Sequence, residues 1–111
     1  MAIRIVTDSA ADVPADLARE LGLDVVPLTI RFGSEEFRDG IDMRADAFYR
    51  RLARGGPLPA TAQPSPAAFA EVYERAARAG ERVVSIHLSG ALSGTVQSAR
   101  LAAEQVPDAR V

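Results

Sequence analysis

Val83-Val84-Ser85-Ile86-His87-Leu88 runs straight into Ser89-Gly90-Ala91-Leu92-Ser93-Gly94-Thr95. The first part is β-branched and apolar and predicts a strand. Behind the second part, Val96, Ala99 and Ala103 recur at helical spacing until Pro107 stops the pattern. Strand, short Ser/Gly turn and helix form the unit from which open α/β sheets are built, and their ligands bind beyond the carboxyl ends of the strands. The unbonded N–H groups of a helix's first turn point outward, and the helix dipole favours negative charge there. Gly90 and Gly94 admit a close backbone approach, while Ser89, Ser93 and Thr95 add hydroxyl donors. The turn therefore predicts a site for an oxyanion.

The same alternation extends towards the N-terminus. Ile3-Arg4-Ile5-Val6 reads as a first strand ending in Thr7-Asp8-Ser9. Pro14 and Gly22 bracket a short helix with Leu17, Ala18 and Leu21 on one face. A second strand starts at Val25 and continues through Leu28, Ile30 and Phe32, which alternate with Thr29 and Arg31. Gly33-Ser34 turns the chain into a short hairpin arm, Glu36-Phe37-Arg38. Asp42 is read as the cap of the next helix, whose Ala45, Phe48, Tyr49 and Leu52 share one face; Gly55-Gly56 ends it. Four prolines between Pro57 and Pro66 predict a stiff, extended loop. Ser65-Pro66 starts a helix with Phe69, Val72, Tyr73 and Ala76 on its apolar side, closed by Gly80. The expected fold class is α/β, a mostly parallel sheet flanked by helices. Arg110-Val111 reads as the start of a further strand, so the chain is expected to be a fragment.

Composition narrows the function. With 48% hydrophobic residues in 111, a real core can form. A net charge of −2 provides no basic footprint for nucleic acid. The chain has no cysteine, which removes disulfides and thiolate metal sites, and no metal or cofactor is expected. All 13 basic residues are arginine, so Schiff-base catalysis and a P-loop lysine are also excluded. No apolar run is long enough to span a membrane and no signal peptide is evident, so the cytoplasm is the expected compartment.

Each polar feature also has a plainer reading. Ser65 is read as a helix cap. Asp8 is read as an acceptor that organises loop backbone, since one carboxylate is a weak metal site. His87, the single histidine, is read as a hydrogen-bonded core residue of the strand. Gly90-Ala-Leu-Ser93-Gly94 places its serine one position late for a hydrolase nucleophile elbow. Arg50, Arg51 and Arg54 form a solvated face or a partner surface.

Three segments taken in order, Thr7-Asp8-Ser9, Pro59-Ala-Thr61-Ala-Gln-Pro-Ser65 and Ser89-Gly-Ala-Leu-Ser93-Gly-Thr95 with Gln97-Ser98-Ala99, resemble the DegV family of bacterial proteins. The resemblance spans essentially the whole chain. Two positions depart from it: Ala62 stands where the family usually has serine, and Val96 where an aromatic residue is common. It implies the N-terminal α/β lobe of a long-chain fatty-acid carrier, covering residues 1–111 and truncated before the second lobe, without catalysis of its own. Position by position, Thr61 and Ser93 would hold the acyl carboxylate of a ligand such as palmitate, with Asp8, Ser9, Gly94 and Thr95 supporting the loops. It also implies that the acid is presented to a fatty acid kinase. The alternative is a dihydroxyacetone-kinase-like phosphotransferase subunit, which would need a histidine at its substrate.

Overall fold

The computed structural model describes residues 2–111. Its order is β1 (Ile3–Asp8), α1 (Ala15–Leu21), β2 (Asp24–Val26), β3 (Thr29–Phe32), β4 (Glu35–Arg38), α2 (Ala45–Ala53), β5 (Pro59–Ala62), α3 (Pro66–Arg78), β6 (Arg82–Ser85) and α4 (Thr95–Gln105). The strands form two sheets. One is parallel in the order β2-β1-β6, the other antiparallel in the order β4-β3-β5.

The parallel sheet flanked by helices is the architecture the sequence predicts. Alternation along β1 and β6 sends Val6 and Val83 to one face, where they meet Val26 and the apolar sides of α3 and α4. Phe69, Val72, Tyr73 and Ala76 of α3 are all buried, as their spacing requires. On α4 the buried face is turned slightly from the expected one: Thr95, Ser98, Ala99 and Ala102 are buried, while Val96 and Ala103 are only half-buried. The opposite face of the sheet carries Ile3, Ile5, Val84 and Ile86, all exposed.

The expected second strand is in fact two strands in different sheets. Pro27 lies between β2 and β3, and its missing N–H and fixed φ end the parallel ladder there. The segment from Pro57 to Pro66 is extended, as expected, but it is not a free loop. Its β5 pairs antiparallel with β3, placing Thr61 opposite Ile30 and Ala62 opposite Thr29. β4 is the expected hairpin arm. Ile30, Phe32 and Met43 form a second buried cluster under this sheet, joined by Phe37, Ala47 and Phe48.

The α2 helix departs most from its reading. Arg44 is its N-cap, while Asp42 accepts instead from Arg38, through the backbone N–H at 2.8 Å and the guanidinium at 3.0 and 3.1 Å. Tyr49 and Leu52 are exposed, and the side facing the sheet carries Ala47, Phe48 and Arg51. Likewise only Ala18 of the expected α1 face is buried. Arg110 makes a parallel bridge with Arg82, in keeping with the strand start read at 110–111.

Candidate functional site

Three loops form the candidate site: the segment after β1, the end of β5 and the turn before α4. After β1, Asp8 Oδ1 accepts from Ala10 N–H at 3.0 Å and caps a single turn of 3-10 helix. Ser9 Oγ accepts from Leu28 N–H at 2.9 Å, tying this loop to the crossing between the two sheets. Both residues organise backbone, the role the sequence assigns to Asp8.

The Ser/Gly turn satisfies most of its own donors. Leu92 N–H and Ser93 N–H donate to Ser89 O, and Ala91 N–H to Ser89 Oγ at 3.3 Å. Ser93 Oγ accepts from Thr95 N–H at 3.2 Å and lies 3.0 Å from Thr95 Oγ1. Thr95 is buried and Ser93 half-buried, so Ser93 is the hydroxyl of this pair that can face a ligand. The first helical bond back to the turn is Ser98 N–H to Gly94 O. Among the described residues the N–H groups of Val96 and Gln97 have no backbone or side-chain acceptor.

The glycines show where backbone packs closely. A Cβ at Gly94 would lie 2.7 Å from Gln63 Cδ and Nε2, and closer still to Oε1. At Gly90 it would lie 3.0 Å from Val96 Cγ1. The close approaches are thus to the chain's own side chains. The contact at Gly94 seats Gln63, two residues after Thr61, on the turn that carries Ser93. Thr61 is exposed on β5, and Leu88 and Leu92 are exposed beside the turn. Ser65 caps α3 by accepting from Ala68 N–H at 3.2 Å, as expected.

His87 lies two residues beyond β6 rather than within it, with its side chain 1% exposed. Its Nδ1 is 2.6 Å from Asp8 Oδ2, across 79 residues of sequence. Its Nε2 is 2.5 Å from Ser85 Oγ, which in turn lies 2.8 Å from Tyr73 Oη. The reading of His87 as a hydrogen-bonded core residue holds; its pairing with Asp8 is invisible to local spacing. Burial pushes the Tyr73 phenol pKa up, partly offset by its bond to Ser85. The arginine cluster is split: Arg51 stacks over Phe32 at 4.6 Å and pairs with Glu35 at 2.5 Å, and Arg50 pairs with Asp46 at 3.7 Å.

A parallel sheet flanked by helices, with hydroxyl-bearing loops beyond its carboxyl edge, defines the class as an open α/β lobe. The family model described as "Uncharacterised protein, DegV family" matches residues 2–111, and the chain belongs to the DegV family. A DegV domain-containing protein of Caldanaerobacter subterraneus is 42% identical over 109 residues, covering 98% of this chain and 39% of that protein. Among solved structures, a fatty-acid-binding DegV family protein from Thermus thermophilus is 42% identical with a TM-score of 0.85, covering 100% of this chain and 40% of its own. A stearic-acid-binding protein from Eubacterium ventriosum is 32% identical with a TM-score of 0.87, covering 99% and 39%. The chain therefore spans about two fifths of the length of these relatives. Among the described residues no helix is long and apolar enough to cross a membrane.

Proposed function

We propose that this chain is the N-terminal lobe of a long-chain fatty-acid carrier, with Thr61 and Ser93 holding the acyl carboxylate and Asp8, Ser9, Gly94 and Thr95 shaping the loops around them. The observation that carries this reading is the seating of Gln63 on Gly94. It brings the Thr61 strand end beside the Ser93 turn, which supports reading the two hydroxyls as parts of one site. A carboxylate suits such a site, because neutral hydroxyls and helix-start N–H groups bind it without burying an opposing full charge. The exposed Leu88 and Leu92 offer apolar surface for the first part of a tail. Relatives that bind fatty acid, one of them stearic acid, support the same ligand class.

On this reading the chain performs no chemistry, works in the cytoplasm and presents its acid to a fatty acid kinase. A second lobe completes the acyl tunnel in the longer protein, and the bare lobe binds acyl chains weakly. The phosphotransferase alternative gains no support from His87, whose two nitrogens are both engaged in the core.

Native mass spectrometry of the purified chain, beside a Thr61→Ala/Ser93→Ala variant, tests the proposal. Co-purifying C14–C18 acids, or palmitate added at saturating concentration, should be retained by the parent and lost from the variant. Equal retention by both would remove the two hydroxyls from the site. Absence of lipid from the parent, both alone and when fused to a second lobe, would overturn the carrier reading. Pull-down of a fatty acid kinase by the loaded protein, and not by the empty one, tests the partner.

A further inference from the structure

Asp8 at the end of β1, Ser85 in β6, His87 just beyond it and Tyr73 in α3 form one unbroken chain of buried hydrogen bonds. Counting donors sets the direction at either end. Asp8 Oδ1 is committed to Ala10 N–H, and an ionised carboxylate only accepts, so His87 Nδ1 carries a hydrogen and donates to Oδ2. Tyr73 is fully buried and keeps its phenolic hydrogen at neutral pH, with Ser85 Oγ as its hydrogen-bond partner. Ser85 Oγ therefore accepts from Tyr73, and its bond with His87 Nε2 is open to either direction, because a hydroxyl has two acceptor sites beside its one hydrogen.

Asp8 from β1 and, through Ser85, Tyr73 from α3 are the titratable groups in this chain; Phe69 of α3 closes against the ring edge-on, 5.0 Å between centroids.

The juxtaposition reaches all three site segments. Asp8 caps the turn after β1, and His87 begins the run into the Ser89–Thr95 turn. Tyr73 stands on the helix that Ser65 caps, directly after the segment carrying Thr61 and Gln63. Thr7 Oγ1 adds a second tie by donating to Ile86 O at 2.8 Å. We propose that His87 is a positioning residue, donating from Nδ1 to Asp8, which locks the Ser89–Thr95 turn to the Thr7–Ser9 loop. Its bearing on fatty-acid affinity rests on the carrier reading above; its bearing on the turn does not.

His87 is the single histidine, so nitrogen-labelled protein shows one imidazole. Long-range nitrogen–proton NMR should find Nδ1 protonated, and Tyr73→Phe should move the Nε2 signal far more than Nδ1. A ring that carries no hydrogen on Nδ1 would overturn the proposal. His87→Asn, which keeps a donor for Asp8, should preserve the backbone amide signals of residues 89–95, while His87→Leu should shift them. It should also weaken palmitate binding about tenfold, the equivalent of one charge-assisted hydrogen bond. Should His87→Leu fail to fold, the Tyr73→Phe and His87→Asn spectra still decide. Unmoved amide signals in a folded His87→Leu protein would refute the positioning role. If the parent binds no palmitate, the carrier reading fails while the ring and amide signals still judge His87.

Discussion

Replacing Gly94 by alanine should separate the site from the fold. Gly94 caps α4 at φ −78° and ψ −2°, a conformation open to any residue, so the methyl group adds no backbone strain. Its space is contested by one side chain: the new carbon would lie 2.7 Å from Gln63 Cδ and Nε2. Gln63 is exposed, so its amide swings aside and the helix stays in place. Alanine is a poorer cap than glycine by up to about 1 kcal/mol. Against this, losing a glycine stiffens the unfolded chain by about 0.4–1 kcal/mol. The two effects oppose, so stability should change by less than about 0.5 kcal/mol, or about 3 °C in Tm. Affinity should respond differently. Unseating Gln63 frees the Thr61 strand end from the Ser93 turn, and a carboxylate deprived of one hydroxyl loses about 1.5–3 kcal/mol, some tenfold to hundredfold in Kd. Thermal melting and calorimetric titration with palmitate read the two quantities on one sample. A Tm loss above about 6 °C would show that Gln63 cannot yield. An unchanged Kd would show that its contact does not hold the two hydroxyls together.

Phe69→Ala should cost about 3–5 kcal/mol in urea unfolding, because the ring is fully buried between Tyr73 and His87; a cost below about 2 kcal/mol would contradict the packing. The neighbours Val83 and Val84 face opposite sides of the parallel sheet, at 5% and 46% exposure. Val83→Ala should therefore destabilise by about 2 kcal/mol and Val84→Ala by less than about 1 kcal/mol, and equal costs would mean the register is wrong. Arg38 holds the Asp42 carboxyl below its ordinary range, first by its side-chain bond and then by its backbone N–H; Arg51 does the same for Glu35 by hydrogen bond and charge. Folded-state values below the unfolded ones mean a contribution present above about pH 4 and lost as pH falls through the folded values. Asp42→Asn/Glu35→Gln should flatten that acid limb of Tm against pH, modestly because both groups are exposed, and an unchanged limb would refute the pairing.

Local rules served well where a structure is made from neighbouring residues. Ser65-Pro66 opens α3 and Phe69, Val72, Tyr73 and Ala76 form its buried face, because a cap and a 3.6-residue period are both short-range. The strand, turn and helix from Val83 to Gln105 follow for the same reason, although the turn keeps more of its N–H groups for itself than its composition suggests. Pairing over distance was hidden. Proline-rich Pro57–Pro66 looks like a loop until β3 provides a ladder, and no local pattern marks β3 as its partner. Pro27 was a visible break, but the alternation of Leu28, Ile30 and Phe32 masked the change of sheet. Asp42 has the side chain of a cap, yet Arg38, four residues earlier, outcompetes the helix end for it. The proposal of Thr61 and Ser93 rests on the resemblance rather than on any local pattern, and the Asp8–His87 bond across 79 residues left no trace in spacing.

The two buried clusters share no residue: one lies between the parallel sheet and α3/α4, the other beneath the β4-β3-β5 arm. Thr61 rides on the arm and Ser93 on the turn that begins α4. Each cluster can loosen on its own account, so the arm need not open in step with the core. Any molecule gripping both hydroxyls would act as a crossbar between separately packed units. Slowed amide exchange along β3 and β4, beyond the strand that makes the contact, would be its mechanical signature.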